Sequence, residues 1–409
     1  MQDILLTEEE REVKYEARAF AKNVSSDLLK AMDREEIQYP VDYVKEAAAK
    51  NLLGLRFSPE YGGRGMKWTA EAAVIEEIGV LGASLGCLYS LPSIVGEALH
   101  LFGTEEQKQK YLAPVLKGEK FCAEALTEPR GGSDFFGATT RAEKDGDEFI
   151  LNGQKRFVVG SEGADFFLVY TKTDPAAHPH KSISTFIVER EHGVQVKHVY
   201  GLLGTRGGGT GRLLFKDVRV PEENLIGSLN AGGMIFNRMM VPERLTSAAG
   251  AIGTGRAALE VAARYSTKRK AFDSYIKEFE GVNFKIADSA TVLDAARGML
   301  YLAAKMADSG KDPRRLVSEA KKFCTEAAWE VVNHSMQILG GIGYTNVYPV
   351  ERLLRDTRLT MIWTGSNEIM NLLIQHEYYK ELAGRTENVP RDVENDALGS
   401  EFEEEKHYG

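Results

Sequence analysis

A block of short strand patterns, from about residue 121 to about residue 225, divides this chain of 409 residues into two helical parts. Phe149–Leu151 lies between Asp145-Gly146 and Asn152-Gly153, two dipeptides that are typical of hairpin turns. Phe166–Tyr170 is a further strand pattern of aromatic and aliphatic residues. Several short strands with regular turns predict a small barrel or sandwich.

Both flanking parts favour helices. Thr7 and Glu10 form a capping-box pattern ahead of a long run of charged and apolar residues. In the second half of the chain, three stretches repeat apolar residues at three- and four-residue spacing: Arg256–Thr267, Phe284–Asp308 and Pro313–Leu339. We therefore expect helices on both sides of the β-region.

This order predicts an α+β fold, and the length leaves room for two or three packed domains. We place an N-terminal helical domain at 1–120, a β-domain at 121–230, a C-terminal helical domain at 231–385 and an acidic tail at 386–409. The tail has eight acidic residues against two basic ones, so we expect it to be mobile or peripheral. The order of the domains does not define a function.

Composition excludes some classes of partner. The net charge of -9 argues against nucleic acid and against an anionic membrane surface. No run of 18 apolar residues is present and the N-terminus lacks the pattern of a signal peptide, so we expect no membrane insertion and no export. Three widely spaced cysteines without metal-ligand spacing predict reduced thiols, no metal site and a cytoplasmic protein.

The first motif with chemical meaning, Thr127–Asp134, reads Thr-Glu-Pro-Arg-Gly-Gly-Ser-Asp and opens the β-region. Gly131 and Gly132 let the backbone approach a flat ligand closely. Thr127 and Ser133 supply hydroxyl groups for the polar edge of such a ligand. The four residues Pro129–Gly132 alone would be an ordinary Pro-Gly turn. The whole eight-residue string, at the point where helices give way to strands, is a more specific signal for a ligand-binding loop.

Two further motifs fit a dinucleotide. Gln337–Tyr344 is a helix that runs into a glycine turn, whose backbone amides suit an anion, although Gly340 alone could be a helix C-cap. Arg269–Phe272 carries a guanidinium group, which is well suited to a pyrophosphate. In isolation, this second motif could equally be a solvated basic turn.

Together with Val241–Leu245 and Ile362–Ile369, these motifs resemble the acyl-CoA dehydrogenases, and the resemblance runs from about residue 7 to about residue 383. It implies a middle β-barrel or sandwich domain between an N-terminal helical domain and a C-terminal four-helix bundle. It also implies bound FAD and electron transfer to electron-transfer flavoprotein. In the family the glycine turn touches FAD bound by a neighbouring subunit, so we expect a homotetramer.

The resemblance assigns FAD contacts to individual residues. Leu126 and Thr127 would face the pyrimidine end, while Ser133 and Arg269 would bind the pyrophosphate. Phe157 and Val159 stand where the family usually has Trp and Thr, so a hydrogen bond to flavin N5 would come from the backbone N–H of Val159. The full implied set is Leu126, Thr127, Gly132, Ser133, Phe157, Val159, Arg269, Phe272, Gln337, Gly340, Gly341, Ser366 and Glu368.

The catalytic base departs from the commoner pattern of the family, which has a glutamate at the Thr364 position. A minority, resembling long-chain and isovaleryl-CoA dehydrogenases, has it just before an Arg-Leu pair, where this chain has Glu243. We expect Glu243 to remove the α-proton, and the backbone N–H of Thr364 to bind the thioester oxygen. Glu124, at a commonly aromatic position near the flavin, is the alternative base. Without the surrounding motif, Glu243 would instead be a helix-surface glutamate paired with Arg244 or with a nearby lysine.

The resemblance implies a substrate site of Ser133, Arg244, Trp363 and Gly365, with Trp363 lining the acyl pocket and Arg244 positioning the base or the CoA end. A bulky acyl group fits best: branched, cyclic, aryl or dicarboxylic, for example benzylsuccinyl-CoA. The alternatives are the enoyl-CoA reductase direction, a flavin oxidase or monooxygenase, and a non-catalytic FAD- and CoA-binding subunit.

Overall fold

The chain folds as helices, then a mixed β-sheet, then helices, in the computed structural model, which describes residues 3–384. The predicted α+β class is confirmed. The acidic tail predicted at 386–409 lies outside the described residues.

The N-terminal part is helical. Its helices are α1 (Glu8–Asn23), α2 (Ser26–Asp33), α3 (Val41–Ala49), α4 (Trp68–Gly79), α5 (Ala83–Phe102), α6 (Glu105–Gln107) and α7 (Ala113–Leu116), with a π-turn, Lys108–Leu112, joining the last two. The predicted capping box is present, because the backbone N–H of Thr7 donates to Glu10 and that of Glu10 donates to the Thr7 hydroxyl. Helix α5 is long and apolar enough to cross a membrane, but 78% of its most apolar window is buried inside the protein, as in the core helix of a globular fold.

The middle part is a mixed sheet. Its strands are β1 (Cys122–Ala125), β2 (Arg141–Asp145), β3 (Glu148–Val158), β4 (Phe166–Lys172), β5 (Ile183–Glu189), β6 (Gln195–Val199), β7 (Gly211–Pro221) and β8 (Leu225–Ile226). They lie in the order β6-β7-β3-β2-β4-β5-β8, and β1 pairs in parallel with β4. The predicted hairpin at Asp145-Gly146 is confirmed, since β2 and β3 pair in antiparallel fashion across it.

The hairpin turn predicted at Asn152-Gly153 is wrong, because β3 continues through this dipeptide with a register shift opposite β7. The Asn152 side chain accepts from the backbone N–H of Asp217 (3.0 Å) and donates to its carboxylate (3.1 Å). Gly153 has φ +146°, and a Cβ there would lie 2.5 Å from the Thr140 hydroxyl oxygen. The two residues that suit a turn therefore form a bulge and a close backbone approach.

The C-terminal part contains α8 (Gly232–Ser266), α9 (Glu280–Asp308), α10 (Arg314–Leu339), α11 (Val350–Thr360) and α12 (Asn367–Ala383), with a short hairpin of β9 (Lys270–Ala271) and β10 (Ser274–Tyr275). Helix α8 packs against α4, α5, α9 and α10, so it is the central helix of the described structure. Its approach to α4 is close, because a Cβ on Gly79 would lie 2.5 Å from the carbonyl oxygen of Gly250.

The sheet turns one face towards the helices. Along β4, Phe166, Leu168 and Tyr170 join the core shared with the helices, whereas Phe167 and Val169 join a separate core inside the β-region. This alternation follows from the two-residue period of a strand. It places a set of strand side chains at the junction with α5 and α8.

Candidate active site

The carboxyl group of Glu124 lies at this junction. In β1, Ala123 and Ala125 pack inside the β-region, whereas Cys122 joins the core shared with the helices, so Glu124 faces the helices as well. The hydroxyl of Tyr170 donates to Glu124 Oε1 at 3.0 Å. Glu124 Oε2 is buried and has no hydrogen-bond partner among the residues that the structure describes.

Glu243, on α8, is the neighbour of Glu124, and their two carboxyl groups lie within hydrogen-bonding reach. Burial and the adjacent Glu243 raise the pKa of Glu124 well above its ordinary value. Burial also raises the pKa of Glu243, and the hydrogen bond with Glu124 and the charge of Arg244 offset only part of that rise. On α5, burial and Glu243 raise the pKa of the Cys87 thiol to about 12, so Cys87 stays a neutral neighbour.

The loop between α11 and α12 lies against the same face of α8. The indole N–H of Trp363 donates to the hydroxyl of Ser247 at 2.7 Å. Ser247 follows Glu243 by four residues, so both side chains lie on one face of the helix. From α10, the Lys321 ammonium donates to the carbonyl of Gly365 and to the side chain of Asn367, both at 2.8 Å. These contacts bring the loop of Thr364 to the Glu243 side of α8.

Thr364 has an unusual backbone. Its φ is +52°, and Gly365 follows with φ +86°. A β-branched residue in the left-handed region is strained by about 1–3 kcal/mol, so the surrounding contacts must hold it there. The Thr364 hydroxyl is buried without a partner, and its backbone N–H donates to no acceptor within residues 3–384. The loop therefore offers a fixed and unused N–H donor.

Arg244 points into the helical domain. It is 5% exposed and donates to the Ser318 hydroxyl at 3.1 Å, while its Nε is buried without a partner in the described chain. It therefore makes no surface ion pair with Glu243, contrary to the alternative raised by the sequence. Burial and nearby Arg314 lower the pKa of Arg244 to about 10. Burial and Arg244 lower the pKa of Lys321 to about 7.

A buried ion pair supports the Thr127–Asp134 loop. Lys155 on β3 bonds Glu128 at 2.7 Å, and both side chains are fully buried. Glu128 also accepts from the backbone N–H groups of Thr139 and Thr140. Although burial acts in the opposite direction, Lys155 and these donors lower the pKa of Glu128. Lys155 donates in addition to the carbonyl of Leu126 at 3.1 Å, so the pair fixes the start of the loop.

The residues expected to face a flavin on the β-domain are accessible. Leu126 and Thr127 are half-buried, and Gly132 and Ser133 are exposed. Nothing lies within 4 Å of a Cβ built on Gly132, so the backbone there is open to a ligand. The side chain of Phe157 is 50% exposed with φ +58°, and its ring centroid lies 5.0 Å from that of Tyr200. Val159 is half-buried close by in sequence.

The remaining expected FAD residues lie on the C-terminal helical domain. The β9–β10 hairpin carries Arg269 and Phe272, and the end of α10 carries Gln337, Gly340 and Gly341; all five are exposed, Phe272 by 92%. The β9–β10 hairpin and the glycine turn after α10 pack against the same apolar cluster of the helical domain. Ser366 caps α12 and is half-buried, and Glu368 is exposed. Within the described residues no hydrogen bond joins these groups to the Thr127–Asp134 loop.

The structure thus places the expected residues in three regions: around the carboxyl groups of Glu124 and Glu243, on an open surface of the β-domain, and at an exposed end of the helical domain.

Four residues that support the site were not identified from the sequence: Tyr170, Lys155, Ser247 and Lys321. Ser247 could have been found from its four-residue spacing to Glu243. The other three carry no sequence signal, because a lysine or tyrosine in a buried element does not reveal its distant partner.

Comparisons with known proteins cover nearly the whole described chain. Family models match it as the acyl-CoA dehydrogenase N-terminal domain (residues 7–119), middle domain (123–218) and C-terminal domain (230–378). The 3-(aryl)acrylate reductase of Clostridium sporogenes is 35% identical over 379 residues, which are 92% of this chain and 100% of that protein. Subunit CarC of the caffeyl-CoA reductase-Etf complex of Acetobacterium woodii is 34% identical over 374 residues, 90% of this chain and 97% of that one. The structure of butyryl-CoA dehydrogenase from Megasphaera elsdenii has a TM-score of 0.88 at 30% identity and covers 91% of this chain and 99% of its own.

Proposed function

Because the chain belongs to the acyl-CoA dehydrogenase family of FAD-dependent oxidoreductases that act on acyl-CoA, we propose that it converts an acyl-CoA thioester to the 2-enoyl-CoA with Glu243 as the catalytic base. The observation that carries this proposal is the position of Glu243 on the face of α8 to which the Thr364 loop is bonded through Ser247. In this proposal Glu243, on α8, takes the role that a glutamate at the Thr364 position of the loop has in the commoner pattern of the family.

The environment of Glu243 suits the removal of a weakly acidic α-proton. A base for such a proton needs a carboxylate of raised pKa in a site with little water. Glu243 meets this need because burial raises its pKa, while nearby Arg244 still favours its ionised form. In the proposed reaction Glu243 takes the α-proton.

Thr364 supplies a donor for the thioester oxygen in this proposal. As the α-proton leaves, negative charge develops on that oxygen and is stabilised by preorganised N–H groups. The backbone N–H of Thr364 has no acceptor within residues 3–384, and Lys321 and Ser247 hold the loop that carries it. The side chain of Thr364 has no part in this role.

The open surface of the β-domain fits FAD. We assign to it the half-buried Leu126, Thr127 and Val159, the exposed ring of Phe157, and the accessible Gly132 and Ser133. FAD, when bound, supplies the acceptor for the β-hydrogen, which leaves the substrate as hydride.

The exposed end of the helical domain supports a homotetramer. Arg269, Phe272, Gln337, Gly340 and Gly341 are exposed together, and a Cβ built on either glycine meets no atom within 4 Å. In our proposal these residues, with Ser366 and Glu368, meet FAD held by a second subunit. The ring of Phe272 is 92% exposed, so it is free to contact a second subunit.

The named relatives favour an aryl-bearing acyl group and an electron-transfer flavoprotein as partner. One is a 3-(aryl)acrylate reductase and another belongs to a caffeyl-CoA reductase-Etf complex. Branched, cyclic and dicarboxylic acyl groups, including benzylsuccinyl-CoA, remain in the proposed range. The same two names favour the enoyl-CoA reductase direction as the second candidate function.

Anaerobic bleaching of the flavin absorbance tests the proposal. Straight, branched, cyclic, aryl and dicarboxylic acyl-CoA thioesters are mixed with the wild type and with Glu243→Gln in parallel. We expect one class to bleach the wild type, and the variant to keep its FAD but stay oxidised. A variant that bleaches as fast as the wild type would remove Glu243 from the role of base. FAD binding without bleaching by any thioester would favour a non-catalytic subunit.

A further inference from the structure

We propose that Glu124 is a positioning residue, which holds the single proton of a two-carboxyl pair and donates it as a hydrogen bond to Glu243, so that Glu243 stays ionised and oriented. This inference rests on the proposed function, in which Glu243 is the base. It concerns the interaction between β1 and α8 and needs no contact from FAD.

The geometry requires one proton between the two groups. Tyr170 donates to Glu124 Oε1, so this oxygen acts as an acceptor. The other oxygen, Oε2, is buried and has no hydrogen-bond partner in the described chain. The Glu243 carboxyl is the neighbouring acidic group within hydrogen-bonding reach of the Glu124 side chain. Two ionised carboxylates both lack a donor and repel each other, so a stable contact needs a proton on one of them.

The surroundings decide which carboxyl carries that proton. Glu124 faces Tyr170 from β4, Glu243 from α8 and Cys122 on its own strand, and none of these groups is a cation. Glu243 faces Glu124 from β1, Cys87 from α5 and the positive charge of Arg244 on its own helix. Glu124 is 9% exposed, whereas Glu243 is half-buried. The negative charge is therefore better placed on Glu243, and the proton on Glu124.

This arrangement prepares the proposed proton transfer. The hydrogen bond from Glu124 uses one lone pair of the Glu243 carboxylate. The remaining lone pairs of that carboxylate are available to accept the α-proton. During the step the substrate C–H bond breaks and an O–H bond forms on Glu243, so the pair goes from one proton to two. The electrons of the broken bond enter the new carbon–carbon double bond as the β-hydrogen leaves as hydride. Glu124 keeps its proton throughout.

Glutamine can replace the protonated form of Glu124. Its amide oxygen can accept from Tyr170, and its amide N–H can donate to Glu243. Leucine has a similar size but no donor. Glu124→Gln should therefore preserve the pair, while Glu124→Leu should remove this hydrogen bond from the Glu243 carboxylate and raise the pKa of the base.

The test is the pH dependence of flavin reduction, using the thioester that bleaches the wild type. Glu124→Gln should keep the acid limb of the wild-type profile, and Glu124→Leu should move that limb upward by about one to two pH units. A Glu124→Leu profile that coincides with that of the wild type would overturn the inference. If Glu124→Leu behaves in this way but Glu243→Gln is inactive, only the inference about Glu124 fails and the proposed function survives. If Glu124→Gln is inactive and Glu243→Gln is active, Glu124 is itself the base and both proposals fail.

A second measurement needs no turnover. At neutral pH the infrared difference spectrum between the wild type and Glu124→Gln should contain the band of one protonated, buried carboxyl group. The same band should persist in Glu243→Gln, which retains Glu124 in its pocket. Absence of the band from the wild-type-minus-Glu124→Gln difference would contradict the inference, even if Glu124→Leu does not fold. FAD content and thermal unfolding serve as controls for all variants.

Discussion

The indole N–H of Trp363 donates a hydrogen bond to the hydroxyl of Ser247, one helical turn beyond Glu243 on α8. This contact joins the loop of Thr364 to the helix that carries the proposed base. The base and the proposed thioester donor come from different elements. Their relative position therefore depends on a small number of contacts, of which this is one and the Lys321 bonds to Gly365 and Asn367 are others.

Replacing Ser247 by alanine should slow flavin reduction by about ten- to a hundredfold, because the Trp363 N–H loses its acceptor and the loop can shift relative to Glu243. Ser247→Thr keeps a hydroxyl group and is the matched control, which should retain most of the rate. Single-turnover reduction at equal FAD content measures the effect. An unchanged rate in the alanine variant would mean that the Lys321 contacts alone hold the loop.

Lys155→Met should lower the free energy of unfolding by about 3–5 kcal/mol, because it leaves the buried Glu128 carboxylate without a cation. The double variant Lys155→Met with Glu128→Leu should recover part of that loss, since it removes the stranded charge. Urea unfolding at neutral pH measures both. Equal stability of Lys155→Met and the wild type would contradict a role for this pair in holding the Thr127–Asp134 loop.

Acid should weaken the Glu128 contacts gradually. The folded pKa of Glu128 lies below its ordinary 4.5. Its stabilisation is therefore present above pH 4.5 and is lost as the pH falls through the folded pKa. Glu128→Gln should show a smaller loss of stability on the acid side than the wild type. If the stability of the two proteins fell equally steeply with decreasing pH, this linkage to Glu128 would be ruled out.

Lys321 should make stability rise with pH as well, but on the alkaline side. Its pKa falls from 10.5 to about 7 on folding, so between these values the unfolded chain binds the extra proton. Stability linked to Lys321 should therefore rise as the pH increases from about 7 towards 10.5. Lys321→Met, which removes the titrating group, should lack this rise. Chemical unfolding of both proteins at neutral and alkaline pH tests the sign, and a wild-type curve no steeper than that of the variant would refute it.

Phe272→Asp should reduce both the size of the assembly and the retention of FAD. The ring is 92% exposed on the β9–β10 hairpin, and a charge there would oppose burial against a second subunit. Ile4→Asp changes another exposed apolar residue, 80% exposed near the N-terminus, and should leave both properties unchanged. Light scattering and the ratio of flavin to protein absorbance measure the outcome. A Phe272→Asp protein of wild-type size and FAD content would contradict the proposed tetramer contact.

The sequence predicted the layout of the fold better than the extent of its elements. The predicted strands and the capping box at Thr7 are present in the structure, because these features depend on residues that are neighbours in sequence. The prediction of a helix over 256–267 missed most of α8, which begins at Gly232. Pro242 and several glycines weaken the local helix signal there, and packing against five other helices, α4, α5, α9, α10 and α11, overrides it. At Asn152-Gly153 the local signal for a turn lost to pairing with β7.

The candidate site could be predicted only in part, for a similar reason. Motifs located Glu243, Thr364 and the Thr127–Asp134 loop, since each contains its own signature. Glu124 appeared only as an alternative base, because its relation to Glu243 depends on β1 and α8 meeting across the junction of sheet and helices. No spacing in the sequence encodes that contact.

The most direct test of the central claim is to remove the base from α8 and return one to the loop. We predict that Glu243→Gln binds FAD but reduces it at least about a hundredfold more slowly than the wild type in a single turnover. Adding Thr364→Glu to this variant should restore a measurable part of the rate, because Ser247 holds the loop on the Glu243 face of α8. Wild-type flavin reduction by Glu243→Gln alone would contradict the account.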